Sequence, residues 1–210
     1  LVPFYFSGHG PRAEAAPAVR QLDSTGIDET LVCYDSRTPG KYDLADKELA
    51  VLLSEVSSGV EVVVISDSCH SGEMTKSIDA DLNGRRSRFT SQVKGYRDLS
   101  TYLLSKDNYY TQQLATRQDL QIPHRAHVVL GACGRDQEAW EADDDRGVFT
   151  KHLIDCLSAE PGLRYQALFL KVRARVQREV RKQEPQYGAY DGFDHRYGFL
   201  TRRTASDTRR

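Results

Sequence analysis

Glu61-Val62-Val63-Val64-Ile65-Ser66-Asp67-Ser68-Cys69-His70-Ser71-Gly72 sets the architecture. Its first half is a short, continuous, β-branched run, as expected of a strand buried on both faces. Its second half breaks into small polar residues and a glycine, so the chain turns there. Upstream, Leu49, Leu52, Leu53 and Val56 recur at helical spacing, with Asp46 as the expected cap and Gly59 as the stop. Further upstream, Leu1 to Ser7 (LVPFYFS) is a second apolar run, broken at Gly8-His9-Gly10. Strand, helix and strand in this order imply an α/β fold, a mostly parallel sheet flanked by helices.

Working outward, Ala126 to Leu130 (AHVVL) reads as a third buried strand ending at Gly131-Ala132-Cys133-Gly134. Gly147 to Leu157 reads as a helix with Phe149, Leu153, Ile154 and Leu157 on one face. Leu168 to Val180 reads as another, with a basic outer face. Leu31 to Asp35 is expected as a short edge strand, and Tyr197 to Leu200 as a last short strand. Thr75 to Pro123 has no clean period and reads as a long insertion or loop region. Residues 201–210 read as a frayed tail. The whole of 1–210 reads as one domain. Its opening inside a core strand leads us to expect further N-terminal chain before Leu1.

The 210 residues are 39% hydrophobic and 28% charged, enough for a core and for solubility. A net charge of -1 argues against nucleic acid as a partner. No apolar run approaches the roughly 18 residues a membrane span needs, and no basic start marks a secretory signal. The four cysteines, Cys33, Cys69, Cys133 and Cys156, form no C-x-x-C pair, so a zinc knuckle or dithiol motif is not expected. They read as reduced thiols of a cytoplasmic protein.

Two strand ends carry the unusual residues. In open parallel sheets, reactive sites lie beyond the carboxyl ends of the strands. His9 follows the first strand and Cys69 the second, so neighbouring strands would bring them to one edge. A thiol with a pKa of about 8.5 is mostly protonated at neutral pH, and the thiolate is the nucleophile. An imidazole in reach can take that proton and later give it to a leaving amine. The glycines beside His9 would let a substrate backbone come close. The backbone N–H groups of Gly10 and Cys69 are candidate oxyanion donors. Cys69 is expected to be accessible, set among Asp, Ser, His and Gly. His70 is its sequence neighbour, and adjacent side chains diverge, so His70 is not the expected base. Cys133 reads as core or pocket lining, Cys33 and Cys156 as structural.

Phe4-Tyr5-Phe6-Ser7-Gly8-His9-Gly10 resembles the histidine motif of caspases and metacaspases. Val64-Ile65-Ser66-Asp67-Ser68-Cys69-His70-Ser71-Gly72 resembles the cysteine motif of metacaspases and bacterial caspase-like peptidases. Fainter likeness continues through Cys33-Tyr34-Asp35, Asp46-Lys47-Glu48-Leu49, Leu130-Gly131-Ala132-Cys133 and Gly147-Val148-Phe149-Thr150. The resemblance implies a caspase-like fold and a cysteine endopeptidase with a His9–Cys69 dyad and no cofactor. It also implies cleavage after Arg or Lys, with Asp67 as a carboxylate of the substrate pocket; a plain loop-capping role for Asp67 is the alternative. Protein or peptide substrates are implied as partners. An activating sensor protein or fused sensor domain and a defence or cell-death role come only by analogy with bacterial relatives. Where some relatives bind calcium after the cysteine motif, Met74-Thr75-Lys76 places a lysine, so no metal is expected. Asp143 to Asp145 read as a solvated loop. Arg85, Arg86 and Arg88 read as a solvated basic loop or, more sharply, as a processing site. The rival function is a catalytically silent interaction module. A thiol phosphatase would need an arginine six positions after the cysteine, where Thr75 stands.

Overall fold

The structure is a computed structural model that describes residues 1–22, 26–57, 59–69, 93–103, 108–116, 126–134, 137–190, 192–194 and 197–201. Three parallel strands form its spine: β1 (Val2–Ser7), β5 (Val62–Asp67) and β7 (His127–Gly131). An antiparallel strand, β8 (Gln186–Tyr190), closes the far side, giving the order β1-β5-β7-β8. Every residue of β5 is buried, as its unbroken apolar run requires of a central strand. The register pairs Val2 with Val62 and ends on Ser7 opposite Asp67.

Helices α3 (Val148–Ala159) and α4 (Tyr165–Glu179) pack on this sheet. Val148, Phe149 and Leu153 from α3 meet Leu168, Val172 and Val176 from α4 over Val63, Ile65, Val128 and Leu130. Gly147 is the residue preceding α3, not its first turn, and α4 begins three residues before the expected Leu168.

A second sheet, absent from the sequence reading, has the order β4-β3-β2-β6. Its strands are β2 (Arg12–Glu14), β3 (Ile27–Leu31), β4 (Leu44–Ala45) and β6 (Val93–Tyr96). The expected edge strand at Leu31 to Asp35 is therefore corrected: the strand lies earlier and is flanked on both sides. Part of the expected 75–123 loop region is also ordered structure. It holds β6, helix α2 (Asn108–Ala115) and the fully buried Tyr102. Tyr197 to Leu200 is no strand. Gly198 makes only an isolated bridge with Arg164, and β8 is the last strand among the described residues. Residues 202–210 lie outside the described residues.

Helix α1 (Asp46–Ser54) differs from expectation in its inward face. Leu52 is exposed, while Lys47, Glu48 and Val51 are buried. Asp46 is its first residue, not its cap; the Glu48 carboxylate instead accepts the Ala45 N–H at 2.9 Å. The reason is a buried charge network. Lys47 Nζ contacts Asp28 Oδ1 at 3.2 Å, Asp46 Oδ1 at 3.1 Å and the Ile27 carbonyl at 2.6 Å. Tyr102 donates its phenol to Asp28, and the Arg97 guanidinium pairs with Glu48 and lies 3.8 Å from the Tyr102 ring centre. Burial pushes the Tyr102 phenol well above its ordinary pKa, with the Asp28 carboxylate adding to the shift. Charges buried this way are tolerated because each has a partner.

Candidate active site

The two sheets meet at the residues that carry chemistry. β1 and β5 run side by side and parallel, and Gly8 N–H donates to the Asp67 carbonyl at 3.1 Å just beyond the last register pair. His9 stands two residues past Ser7, and Cys69 two past Asp67. Both therefore leave the sheet at the same carboxyl edge, from neighbouring strands about 4.8 Å apart. The next residue shows how tightly the two loops fit. A Cβ on Gly10 would stand 2.1 Å from the Cys69 carbonyl oxygen. The expectation that this glycine makes room for substrate is corrected: the space beside it belongs to the chain's own backbone.

The second sheet holds the histidine loop from behind. Val32 N–H donates to the His9 carbonyl at 3.0 Å. The Thr30 N–H and hydroxyl both donate to the Pro11 carbonyl, at 2.9 and 3.0 Å. The His9 side chain is exposed.

Cys69 departs from expectation. It is fully buried, within the main core cluster. Its Sγ accepts the Ala139 N–H at 2.9 Å and lies 3.3 Å from the Ala139 carbonyl as a thiol donor. The polar neighbours in sequence do not expose it; the Ala139 backbone lies against its thiol. Cys133, two residues past the end of β7, is buried; its thiol faces the carbonyls of Ser68 (3.4 Å) and Gln137 (3.3 Å). Cys156 is buried in α3 as expected, and burial raises its thiol pKa. Cys33 is exposed, its thiol 3.7 Å from the Leu31 carbonyl.

Asp67 is fully buried at the end of β5. Its Oδ2 accepts both the backbone N–H (3.0 Å) and the hydroxyl (2.5 Å) of Thr150. Thr150 is in the first turn of α3, where backbone N–H groups lack helical partners and negative charge is favoured. The structure thus gives Asp67 the capping role. A Cβ on Gly147 would lie 2.0 Å from that same Oδ2, which explains the glycine before α3. Tyr5 of β1 adds a hydroxyl contact to Thr150 at 3.0 Å.

Trp140 is buried in the core, and Asp143 to Asp145 form an exposed turn in which Asp144 pairs with Arg146. No group of metal-ligating residues occurs among the described residues. His70, Arg85, Arg86 and Arg88 lie outside the described residues. What sequence reasoning missed is the pair Gln137 and Gln183, whose amides hold the 137–140 segment; nothing in an isolated glutamine signals this.

A mostly parallel α/β sheet with a histidine and a cysteine at adjacent strand ends defines a caspase-like protein. Residues 1–191 match the family Peptidase_C14, the caspase domain, and the chain belongs to that family of cysteine peptidases. Among curated relatives, it is 35% identical over 68 residues to Metacaspase-7 of Arabidopsis thaliana, covering 32% of this chain and 15% of that protein. It is 33% identical over 76 residues to Metacaspase-8 of the same plant, covering 36% and 18%. The matched part thus spans less than a fifth of either relative. Protein GSU0716 of Geobacter sulfurreducens shares the fold, with a TM-score of 0.55 at 21% identity over 91% of this chain and 66% of that one.

Proposed function

We propose that the chain is a cysteine endopeptidase in which Cys69 is the nucleophile and His9 its base. The observation that carries this reading is the shared edge: two paired parallel strands release His9 and Cys69 at the same depth, with Gly10 packed against the Cys69 carbonyl. In the reaction, His9 takes the thiol proton and the thiolate attacks the scissile carbonyl. The N–H groups of Cys69 and Gly10 steady the oxyanion. His9 then protonates the leaving amine, and water releases the acyl group from sulfur. Cleavage after Arg or Lys is the preference we assign on the family likeness alone, since Asp67 is fully buried with its Oδ2 taken up by Thr150. Protein or peptide chains are the substrates. An activating sensor and a defence or cell-death role rest on the family likeness alone, and a cytoplasmic setting on the free thiols. No helix among the described residues is long and apolar enough to cross a membrane.

The full burial of Cys69 also fits a second reading, a catalytically silent caspase-like module. Fluorogenic peptides ending in Arg, Lys or Asp separate the two. Turnover after Arg or Lys that disappears in Cys69→Ala and falls roughly 10²–10⁴-fold in His9→Ala supports the peptidase. Folded protein that turns over none of the peptides supports the silent module.

A further inference from the structure

A nucleophile must meet its substrate, yet the Cys69 thiol is fully buried and bonded on both sides to the backbone of Ala139. The segment that covers it, Gln137 to Trp140, is itself sewn down by two amide side chains. The Gln183 side chain, fully buried, accepts the Trp140 N–H on Oε1 at 3.2 Å and donates from Nε2 to the Ala132 carbonyl at 3.1 Å. Gln137 Oε1 accepts the N–H groups of Gly134 (3.1 Å) and Glu184 (2.9 Å). Ala132 is in turn tied to β5, since its N–H donates to the Ser66 carbonyl at 2.9 Å, three residues before Cys69.

Burying a primary amide is costly unless both its ends are satisfied. Gln183 is satisfied at both ends, and those ends are the covering segment and the strand edge beneath it. The amide therefore works as a cross-tie: it fixes the height of Ala139 above Cys69.

We propose that Gln183 is a positioning residue that latches the Gln137–Trp140 segment over Cys69, so that the thiol reacts only when this latch opens. This deepens the peptidase reading and rests on it for its biological meaning, but the latch has a physical readout of its own. Three thiols report it. Cys33 is exposed, Cys69 is under the latch, and Cys156 is buried in α3.

The test is alkylation of the folded chain with iodoacetamide, followed cysteine by cysteine by peptide mass mapping. The wild type is expected to label Cys33 quickly, and Cys69 as slowly as Cys156. In Gln183→Ala the Cys69 rate is expected to rise roughly three- to tenfold, the factor one lost net hydrogen bond gives, while the Cys156 rate stays put. Cys69 labelling as fast as Cys33 in the wild type, or unchanged in the variant, overturns the latch. Should Cys156 accelerate along with Cys69, the core has loosened. Gln183→Met, which fills a similar volume without an amide, then decides by the same comparison. Peptide turnover is read in parallel. Faster Cys69 labelling with no turnover in either protein leaves the latch standing and removes the peptidase. Turnover with no change in labelling does the reverse.

Discussion

The carboxylate of Asp67 holds both donors of Thr150, its N–H at 3.0 Å and its hydroxyl at 2.5 Å, and so joins the end of the central strand β5 to the first turn of α3. The same aspartate stands two residues before Cys69. Stability therefore depends on this side chain, and substitutions test whether it has a second role in substrate preference. Asp67→Ala leaves the buried Thr150 N–H without its acceptor and its hydroxyl with Tyr5 alone, and is expected to cost about 2–4 kcal/mol in urea unfolding. Asp67→Asn keeps an acceptor and loses the charge facing the helix, for about 1–2 kcal/mol. If the carboxylate also reads the residue before the scissile bond, the folded Asp67→Asn protein loses its advantage for Arg peptides over neutral ones. An unchanged Arg preference would confine Asp67 to capping.

Asp46 provides a pH signature. Burial beside Asp28 and Glu29, only partly offset by Lys47, raises its carboxyl from 3.8 to about 6. A carboxyl that holds its proton more tightly when folded than when unfolded favours the folded state in acid. That contribution fades as pH rises through the interval from 3.8 to about 6, and above it the ionised group opposes folding. Asp46→Asn is thus expected to raise the melting temperature relative to wild type at about pH 8, with the difference shrinking towards about pH 4. Equal melting shifts at both pH values would show that the carboxyl is not displaced.

The neighbouring Lys47 argues the opposite way. Its ammonium is 5% exposed and is the cation facing Asp28, which is 2% exposed. Removing one member of such a pair strands the other charge, so Lys47→Met is expected to cost about 3–5 kcal/mol in chemical denaturation. A loss below about 1 kcal/mol would mean that the Tyr102 phenol alone satisfies Asp28.

These charged residues also mark where the sequence could be read and where it could not. β5 was legible because a central strand needs an unbroken apolar run; β1 was found as a strand by the same pattern, but it lies at the sheet edge with Val2 and Tyr5 exposed, which corrects the expected core strand. Cys69 and His9 were legible for the same reason: they follow those runs directly. The second sheet was not legible. β2 is Arg12-Ala13-Glu14, and its partners β3 and β6 come from distant segments. The inner face of α1 was misread because Lys47 and Glu48 are buried by partners, Asp28 and Arg97, that sequence spacing does not bring together. β8 escaped because Gln186-Tyr187-Gly188-Ala189-Tyr190 has neither alternation nor an apolar run. The buried contact of Cys69 with Ala139 was not legible either, since it comes from seventy positions away, beside a Trp140 N–H that Gln183 accepts from beyond α4.

The two glycines around His9 differ in what an added methyl group would meet, and that difference tests the site most directly. At Gly8 the nearest atom is Phe6 Cζ at 3.0 Å, the tip of a side chain that can turn aside. At Gly10 it is the Cys69 carbonyl oxygen at 2.1 Å, with the Ser68 Cβ at 3.2 Å behind it. That oxygen belongs to backbone and cannot move without moving Cys69. Gly8→Ala is therefore expected to stay within about 1 kcal/mol of wild-type stability and to keep any peptidase activity. Gly10→Ala is expected to cost about 3 kcal/mol or more, or to survive only by pushing the Cys69 loop out of place. In the second case the folded variant loses turnover, and its Cys69 alkylation rate departs from wild type. Urea unfolding and thiol mapping on the two variants check both halves. Equal behaviour of the two alanines would show that the histidine and cysteine loops are not packed backbone to backbone, and the geometry on which the proposed dyad rests would fail with it.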